Sequence, residues 1–338
     1  MNTSKNITIS DVAKHAKVSK STVSQYLNQR FEYMGAATRT KIEESIKELG
    51  YSPNFLARSL KQKKTFTIGI IVANILHGFS TQVIRAIEDC CNEQDVHVIV
   101  CNADDDPAKE KKYISMLQAK QVDGFIIFPT GENTDVYKQV LGRNIPIVFV
   151  DRLIPDLEVD TLLLDNINAS KLGVYNFVEN GHEDIAIITP PLNPLITPRW
   201  ERLEGYKEAM AECKKSYPEE YIISGQLHTL HDQLDKVFQL KRRPTAILCS
   251  NDLTLMEVLK YCKAKSILLP DQLSIIGIDE VSFATVYNPA LSTIKQPAFN
   301  IGGRAAELLL DHINGKSSER KVYRYAPEFL ERTSVKTL

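Results

Sequence analysis

The sequence lacks the features of a membrane-spanning, exported, disulfide-stapled or catalytic chain. No apolar run approaches the ~18–20 residues needed to cross a bilayer. The opening Met1-Asn2-Thr3-Ser4-Lys5-Asn6 has no apolar signal-peptide core behind its lysine, so export is not expected. The six cysteines (Cys90, Cys91, Cys101, Cys213, Cys249 and Cys262) show no CxxC spacing. Most have apolar neighbours, where cysteine acts as a small hydrophobe. Disulfides and metal clusters are therefore not expected, and a reducing cytoplasm fits best. There is no GxGxxG after an expected strand, no GxxxxGK(S/T) and no GxSxG. Asp104-Asp105-Asp106 lacks the glycine and terminal glutamate of a calcium loop and reads as helix capping. His228-x-x-His231 has no carboxylate or cysteine to complete a metal site and reads as surface. The expectation is a protein that is not an enzyme and carries no cofactor or metal.

What is present is ordinary for a soluble chain and uneven in charge. The 338 residues suffice for two or three compact units, with 43% hydrophobic and 25% charged residues. The net charge of −1 hides a head, residues 1–64, at +7 and a remainder at −8. A basic head on an acidic body suggests that only the head meets a polyanion.

Within the head, Thr8 to Ala16 reads as a short helix with Ser10 as N-cap and Asp11 in the first turn. Lys17-Val18 makes a turn. Ser19 then caps a second helix, Lys20 to Leu27, whose small polar residues suit a DNA groove better than a core. Val12, Ala13, Ala16, Val18, Val23 and Leu27 are spaced to pack the pair together. A third helix, about Ala37 to Leu49, puts Ile42, Ile46 and Leu49 on one face, with Gly50 as C-cap. In a helix-turn-helix the start of the second helix reaches base edges. Lys20, Ser21 and Gln25 are therefore the expected base readers. Ser10, Ser19, Thr22, Ser24 and Asn28 are expected at phosphates. In the following segment Pro53 opens a helix too short to be stable unpaired.

These residues carry a family resemblance. The pattern Ile9-x-Asp11-Val12-Ala13, Val18-Ser19, Thr22-Val23-Ser24, Leu27-Asn28, Leu49-Gly50-Tyr51, Pro53-Asn54 and Ala57-Arg58-Ser59-Leu60 resembles the LacI/GalR family of lactose- and purine-type repressors. The resemblance implies that 53–64 is a hinge helix pairing across a homodimer in the minor groove. Asn54, Ala57 and Arg58 would then lie at the DNA, and Leu60 would wedge a base step apart. Lys17 stands where many members have glycine, and Gln25 where many have arginine. A longer loop follows Asn28 (Gln29 to Met34), in which Arg30 and Tyr33 are candidates for added backbone contacts.

From Thr65 strands and helices alternate. The apolar run Phe66–Ala73 reads as a buried parallel strand. Helix 80–94 and strand 96–102 follow, then a helix capped by Asp106 with Pro107 at N1, and strands 122–128 and 145–150. A second series starts at Asp184: strand 185–188, helix 202–214, strand 246–249, helix 253–264 and strand 273–278. The fold class expected is an all-α helix-turn-helix head plus an α/β core of two similar parallel-sheet subdomains. The domains expected are 1–52 (head), 53–64 (hinge), 65–163 with 294–325 (first core subdomain) and 164–293 (second), with 326–338 as a tail.

Ligands of open α/β sheets sit beyond the carboxyl ends of strands. That points to 74–79, which includes Phe79, to 102–104, 129–130 and Asp151-Arg152, and to Asn251-Asp252 and Asp279. The family resemblance extends through Arg202-x-x-Gly205-Tyr206, Asn251-Asp252, Gly277-Ile278-Asp279 and Pro289 to Pro297. It implies a periplasmic-binding-protein-like core that clasps an effector with Arg202, Asn251 and Asp279, then Asp151 and Gln296. Arg199-Trp200-Glu201-Arg202 offers two guanidinium groups around an indole, which suits a sugar acid. The head loop and this arginine pair resemble repressors of 2-keto-3-deoxygluconate operons. The reading is a cytoplasmic repressor of a carbohydrate-catabolic operon, whose partners are operator DNA, a sugar or sugar-acid effector and a second copy of the chain, with no membrane. No heptad tail for a tetramer follows Val335. Alternatives are a sugar-binding transport protein without a transcriptional role, and a repressor answering to a neutral sugar or a purine corepressor.

Overall fold

The structure, a computed structural model, describes residues 7–27, 29–32, 34–51, 64–316 and 319–338. Asn28, Tyr33, Asn54, Ala57, Arg58, Leu60 and the hinge expected up to residue 63 lie outside the described residues. The chain divides into two units, Met1–Thr65 and Phe66–Leu338.

The first unit holds α1 (Ile9–His15), α2 (Lys20–Leu27) and α3 (Ala36–Leu49) among its described residues. Thr8, not Ser10, caps α1. The Asp11 carboxylate, three residues on, accepts hydrogen bonds from the Thr8 backbone N–H (2.9 Å) and hydroxyl (2.6 Å). Ser10 already lies inside the first turn, where its side chain has no such role. Ser19 caps α2 as expected, its hydroxyl accepting from the Thr22 N–H at 3.1 Å. Lys17, in the turn between them, has φ +54°, the left-handed region glycine occupies without strain. Gly50 ends α3 at φ +59°. Val12, Val23 and Ile42 are fully buried at the centre, with Val18, Leu27, Ile46 and Leu49 around them. Each of those three contributes about 2 kcal/mol through burial.

The second unit is a two-lobed α/β core. In the first lobe β1 (Thr67–Val72), β2 (His97–Asn102), β3 (Gly124–Ile127), β4 (Ile147–Val150), β5 (Asp160–Leu164) and β11 (Val322–Tyr325) form a sheet in the order β11-β5-β4-β3-β1-β2. All its pairings are parallel. In the second lobe β6 (Ile185–Thr189), β7 (Ile222–Ser224), β8 (Ala246–Cys249), β9 (Ser274–Ile278), β10 (Ser292–Lys295) and β12 (Glu328–Leu330) run β12-β10-β9-β8-β6-β7. Only the β10–β12 pairing is antiparallel. Strands β1, β3, β4, β6, β8 and β9 are apolar almost throughout because helices cover both faces of each sheet.

Helices α4 (Gly78–Asn92), α5 (Pro107–Ala119), α6 (Thr134–Gly142) and α11 (Ala298–Ile313) flank the first sheet. Helices α7 (Asn166–Glu179), α8 (Thr197–Glu212), α9 (Leu230–Phe238) and α10 (Asp252–Lys265) flank the second. The chain passes between lobes after β5, between β10 and α11, and between β11 and β12. Sequence patterning left out β5, β7, β10, α6, α7 and α9. In α7 buried Asn166, Ser170 and Asn176 interrupt the apolar stripe, and β5 opens on buried Asp160 and Thr161, so neither shows a clean period.

Candidate functional site

The start of α2 is an exposed polar end on a small rigid head. Ser19, Lys20, Ser21 and Gln25 are exposed, while Ser10, Thr22 and Ser24 are half-buried. The Thr22 and Ser19 hydroxyls are 2.8 Å apart, so both serve the cap as well as facing outward. In the longer loop Phe31 packs edge-on to Tyr26 (5.9 Å between centroids) and under the Arg39 guanidinium (3.7 Å), and Arg30 stays exposed. The loop is thus pinned by its aromatic residue, leaving the arginine free to meet a partner.

The second site lies in the core, where strand ends of the two lobes converge. A small cavity of about 50 Å3 is lined by Asn74, His77, Phe79, Ser80, Phe128, Asp151, Arg152, Arg199, Arg202, Asn251, Asp279 and Gln296, among others. Seven residues expected from the sequence are therefore brought together: Phe79, Asp151, Arg199, Arg202, Asn251, Asp279 and Gln296. Trp200 is not among them. It stands 46% exposed and lines a different cavity.

Arg202 is held by packing that Gly205 permits. A Cβ at Gly205 would lie 2.3 Å from the Ile167 carbonyl oxygen, so only glycine lets α8 approach α7 this closely. Arg202 Nε then donates to Asn166 Oδ1 (2.9 Å) and Nη1 to the Ser250 carbonyl (2.6 Å). Among the described residues its Nη2 has no hydrogen-bond partner.

Asp279 follows β9 at φ +90° and is buried. It accepts from Gln296 Nε2 at 2.5 Å and, weakly, from the Asp252 N–H at 3.4 Å. Burial, aided by the Asp252 charge, raises its pKa; Arg202, Gln296 and His77 work the other way. Asn251 caps α10, its Oδ1 accepting from the Thr254 N–H at 2.9 Å.

Four hydrogen bonds tie the lobes together at or near this cavity. His77 Nδ1 lies 2.5 Å from Asp252 Oδ1, and the Gly78 N–H donates to Asp252 Oδ2 at 2.9 Å. The Leu153 N–H donates to Thr197 Oγ1 at 2.9 Å. Asp105 accepts from Arg152 Nη2 (2.7 Å) in its own lobe and from Arg199 Nη2 (3.1 Å) in the other. This corrects the capping role expected of Asp105: only Asp106 caps α5, accepting from the Ala108 and Lys109 N–H groups.

The charges follow these contacts. Burial alone would lower the His77 pKa, but the hydrogen bond and charge of Asp252, with Asp279 and Asp151 behind, raise it. Burial would raise Asp252, and His77 with the Gly78 and Leu253 N–H groups lowers it. Asp105 is lowered against its burial by Arg152, Arg199 and His77. Burial, with the Arg152 charge, lowers Arg199 despite Asp105 and Asp151.

Two buried polar atoms at this cavity have no hydrogen-bond partner among the described residues: Gln296 Oε1, and Arg152 Nε, which is ion-paired with Asp151 Oδ2 at 3.6 Å. Such orphans in a buried site call for a ligand or ordered water. His77, Arg152 and Asp252 fall in the strand-end segments flagged by sheet topology. Ile196 and Pro198 were missed: they follow β6 much as Phe79 follows β1, but the segment after β6 is not among the strand ends flagged. Among the described residues no cluster of histidine, cysteine or carboxylate groups could hold a metal, and no helix is long and apolar enough to cross a membrane.

Comparison with known proteins covers both units. Residues 8–54 match the bacterial regulatory proteins of the lacI family, and residues 174–335 match a periplasmic binding protein-like domain. The chain is 47% identical over 333 residues to a probable HTH-type transcriptional regulator, EndR, of Paenibacillus polymyxa, covering 97% of this chain and 98% of that one. It is 34% identical to the HTH-type transcriptional repressor PurR of Vibrio atlanticus, covering 98% and 99%. A lac repressor dimer bound to operator and the anti-inducer ONPF shares the fold at a TM-score of 0.83 and 24% identity, over 98% and 100% of the two chains. A regulator from Enterococcus faecium with bound ribose superposes at a TM-score of 0.71 and 27% identity, over 80% and 99%. The chain belongs to the lacI family of bacterial regulatory proteins: it is a DNA-binding transcriptional repressor with an effector-binding core, and not an enzyme.

Proposed function

We propose that this repressor acts in the cytoplasm as a homodimer on a pseudo-palindromic operator of a carbohydrate-catabolic operon, and that a sugar acid, 2-keto-3-deoxygluconate as the best match, is its inducer. Lys20, Ser21 and Gln25 read bases. Ser10, Ser19, Thr22, Ser24 and Asn28 hold phosphates, and Asn54, Ala57, Arg58 and Leu60 act through the hinge in the minor groove. The effector sits between the lobes against Phe79, Asp151, Arg199, Arg202, Asn251, Asp279 and Gln296.

The observation that carries the sugar-acid reading is the pairing of three guanidinium groups with orphaned buried atoms in one cavity. A carboxylate supplies an acceptor for Arg202 Nη2 and Arg152 Nε, and a ligand hydroxyl supplies the donor that Gln296 Oε1 lacks. Trp200 no longer supports this reading, which rests on the arginines. Calorimetry with a panel of sugar acids and neutral sugars tests it: tight binding of a neutral sugar alone overturns it. In a gel-shift titration the acid is expected to release operator, and a strengthened complex reverses the sign.

One observation favours a second reading. Phe79 and Phe128 both line the cavity with ring centroids 6.3 Å apart, and PurR proteins rank among the relatives, so a planar purine corepressor belongs in the same panel.

A further inference from the structure

The loop 151–156 and the first turn of α8 each serve two cavities. Asp151, Arg152, Arg199 and Arg202 face the inner one, whereas Leu153 to Asp156, Thr197, Trp200 and Glu201 line a second, of about 370 Å3. The Leu153–Thr197 hydrogen bond joins the lobes at the outer one. The outer cavity falls within the ~300–1,000 Å3 typical of small-molecule sites, and like many such sites it lies between two lobes. Its edge is a tight meeting of the two lobes: Gly131 has φ +102°, and a Cβ there would lie 2.6 Å from Leu195 Cβ.

Its chemistry differs from that of the inner cavity. Leu153, Ile154 and Pro155 from one lobe meet Pro194, Leu195 and Trp200 from the other. Leu195 and Trp200 remain 42% and 46% exposed, a cost in water that a ligand would remove. Lys207 Nζ lies 5.5 Å from the Trp200 centroid, so part of the ring already has a cationic neighbour. Two of its five polar side chains are engaged. Glu201 accepts from both Arg324 terminal nitrogens (3.0 and 2.6 Å) and from Asn166 Nδ2 (3.0 Å), and Thr197 is held by Leu153. Lys138 is exposed and has neither an ion pair nor a hydrogen bond among the described residues. Thr134, Lys138 and Asp156 are the remaining polar side chains, and the rest of the lining is mainly apolar. A flat apolar ring with one negative charge fits the walls and the free ammonium, and Asp156 on the same rim opposes a second charge.

We propose that the outer cavity is a second ligand site, which takes an aromatic carboxylate with its ring against Trp200 and the leucine–proline walls and its carboxylate toward Lys138 Nζ. Because both lobes supply its walls, this ligand binds the arrangement of the lobes seen in this structure. Its affinity is therefore coupled reciprocally to that of any ligand in the cleft.

Trp200 is the single tryptophan of the chain, so selectively excited tryptophan fluorescence reports this cavity directly. The full-length protein is titrated with naphthoate and with uncharged naphthamide. Naphthoate is expected to change the emission saturably and to bind more tightly than naphthamide. Lys138→Ala is expected to weaken naphthoate about fivefold, the scale of a solvent-screened ion pair. Leu195→Glu is expected to abolish binding while the chain stays folded, with a cooperative melting transition retained. The absence of both a fluorescence change and calorimetric heat overturns the proposal. Equal affinity for the amide, or an unaffected Lys138→Ala, overturns the anionic ligand class, and naphthoate bound unchanged by Leu195→Glu overturns the location.

Discussion

Replacing His77 with alanine removes one of the contacts that tie the lobes together, and its effect on stability carries a pH signature. The His77–Asp252 contact is short, at 2.5 Å, and the two side chains are only 21% and 10% exposed. A hydrogen bond between charged groups in such a setting contributes about 2 kcal/mol. The loss is not larger because Asp252 still accepts from the Gly78 N–H (2.9 Å) and the Leu253 N–H (2.8 Å) and is not left bare. For a core of this size that corresponds to a fall in melting temperature of about 4 °C.

The sign with pH follows from the raised His77 pKa. The folded value lies above the unfolded 6.5, so the contribution is fully present below pH 6.5 and fades as pH rises through the folded value. There the imidazole is neutral and the remaining hydrogen bond contributes about 1 kcal/mol. Asp252 is shifted in the opposite sense, below 3.8; its contribution is present above that value and is lost only as pH falls through the folded one. Scanning fluorimetry of the wild-type chain and His77→Ala across this range is expected to show two melting curves that converge toward alkaline pH. A gap that stays constant, or widens with rising pH, refutes the reasoning, because the pair would then not be charge-assisted.

Three further outcomes follow from the packing. Glu110 is fully buried and accepts from the Thr130 hydroxyl (2.5 Å), Asn133 Nδ2 (2.7 Å) and the Tyr137 hydroxyl (2.6 Å), so Glu110→Ala orphans three donors and costs roughly 4 kcal/mol in chemical denaturation. Glu110→Gln keeps one acceptor oxygen and turns its amide to the Tyr137 oxygen; it costs about 1 kcal/mol, and equal losses for the two variants contradict the network. Lys17→Gly relieves a left-handed residue and is expected to stabilise the head by about 1 kcal/mol, read from its melting transition; a lower melting temperature contradicts it. Gly205→Ala forces α8 away from α7, costs about 2 kcal/mol and weakens the hold on Arg202, so effector calorimetry is expected to show reduced affinity; unchanged affinity contradicts it.

The parts of the site legible in the sequence are those fixed by local rules. Asp279 and Asn251 follow strands whose apolar runs are unmistakable, and the strand-end rule places them at the cleft without any knowledge of contacts. Asp105 failed because its role depends on partners 47 and 94 residues away, Arg152 and Arg199, and no local pattern encodes such pairing. Beside a true cap at Asp106, three consecutive aspartates read as one motif, whereas in the structure each does something different: Asp104 pairs with Lys109, Asp105 joins the lobes, and Asp106 caps α5.

Trp200 failed for another reason, one that the sequence could have exposed. Successive residues on an α-helix turn by about 100°, so Arg199 and Arg202 share a face while Trp200 between them points away. The cluster Arg199-Trp200-Glu201-Arg202 reads as one ligand surface, although its helical period divides it in two. That division is what the structure shows, with the arginines in a polar inner cavity and the indole with Glu201 in an apolar outer one. One helix turn thus borders both cavities, so a ligand in either must act on the same element, and coupling between them needs no longer path than the width of α8.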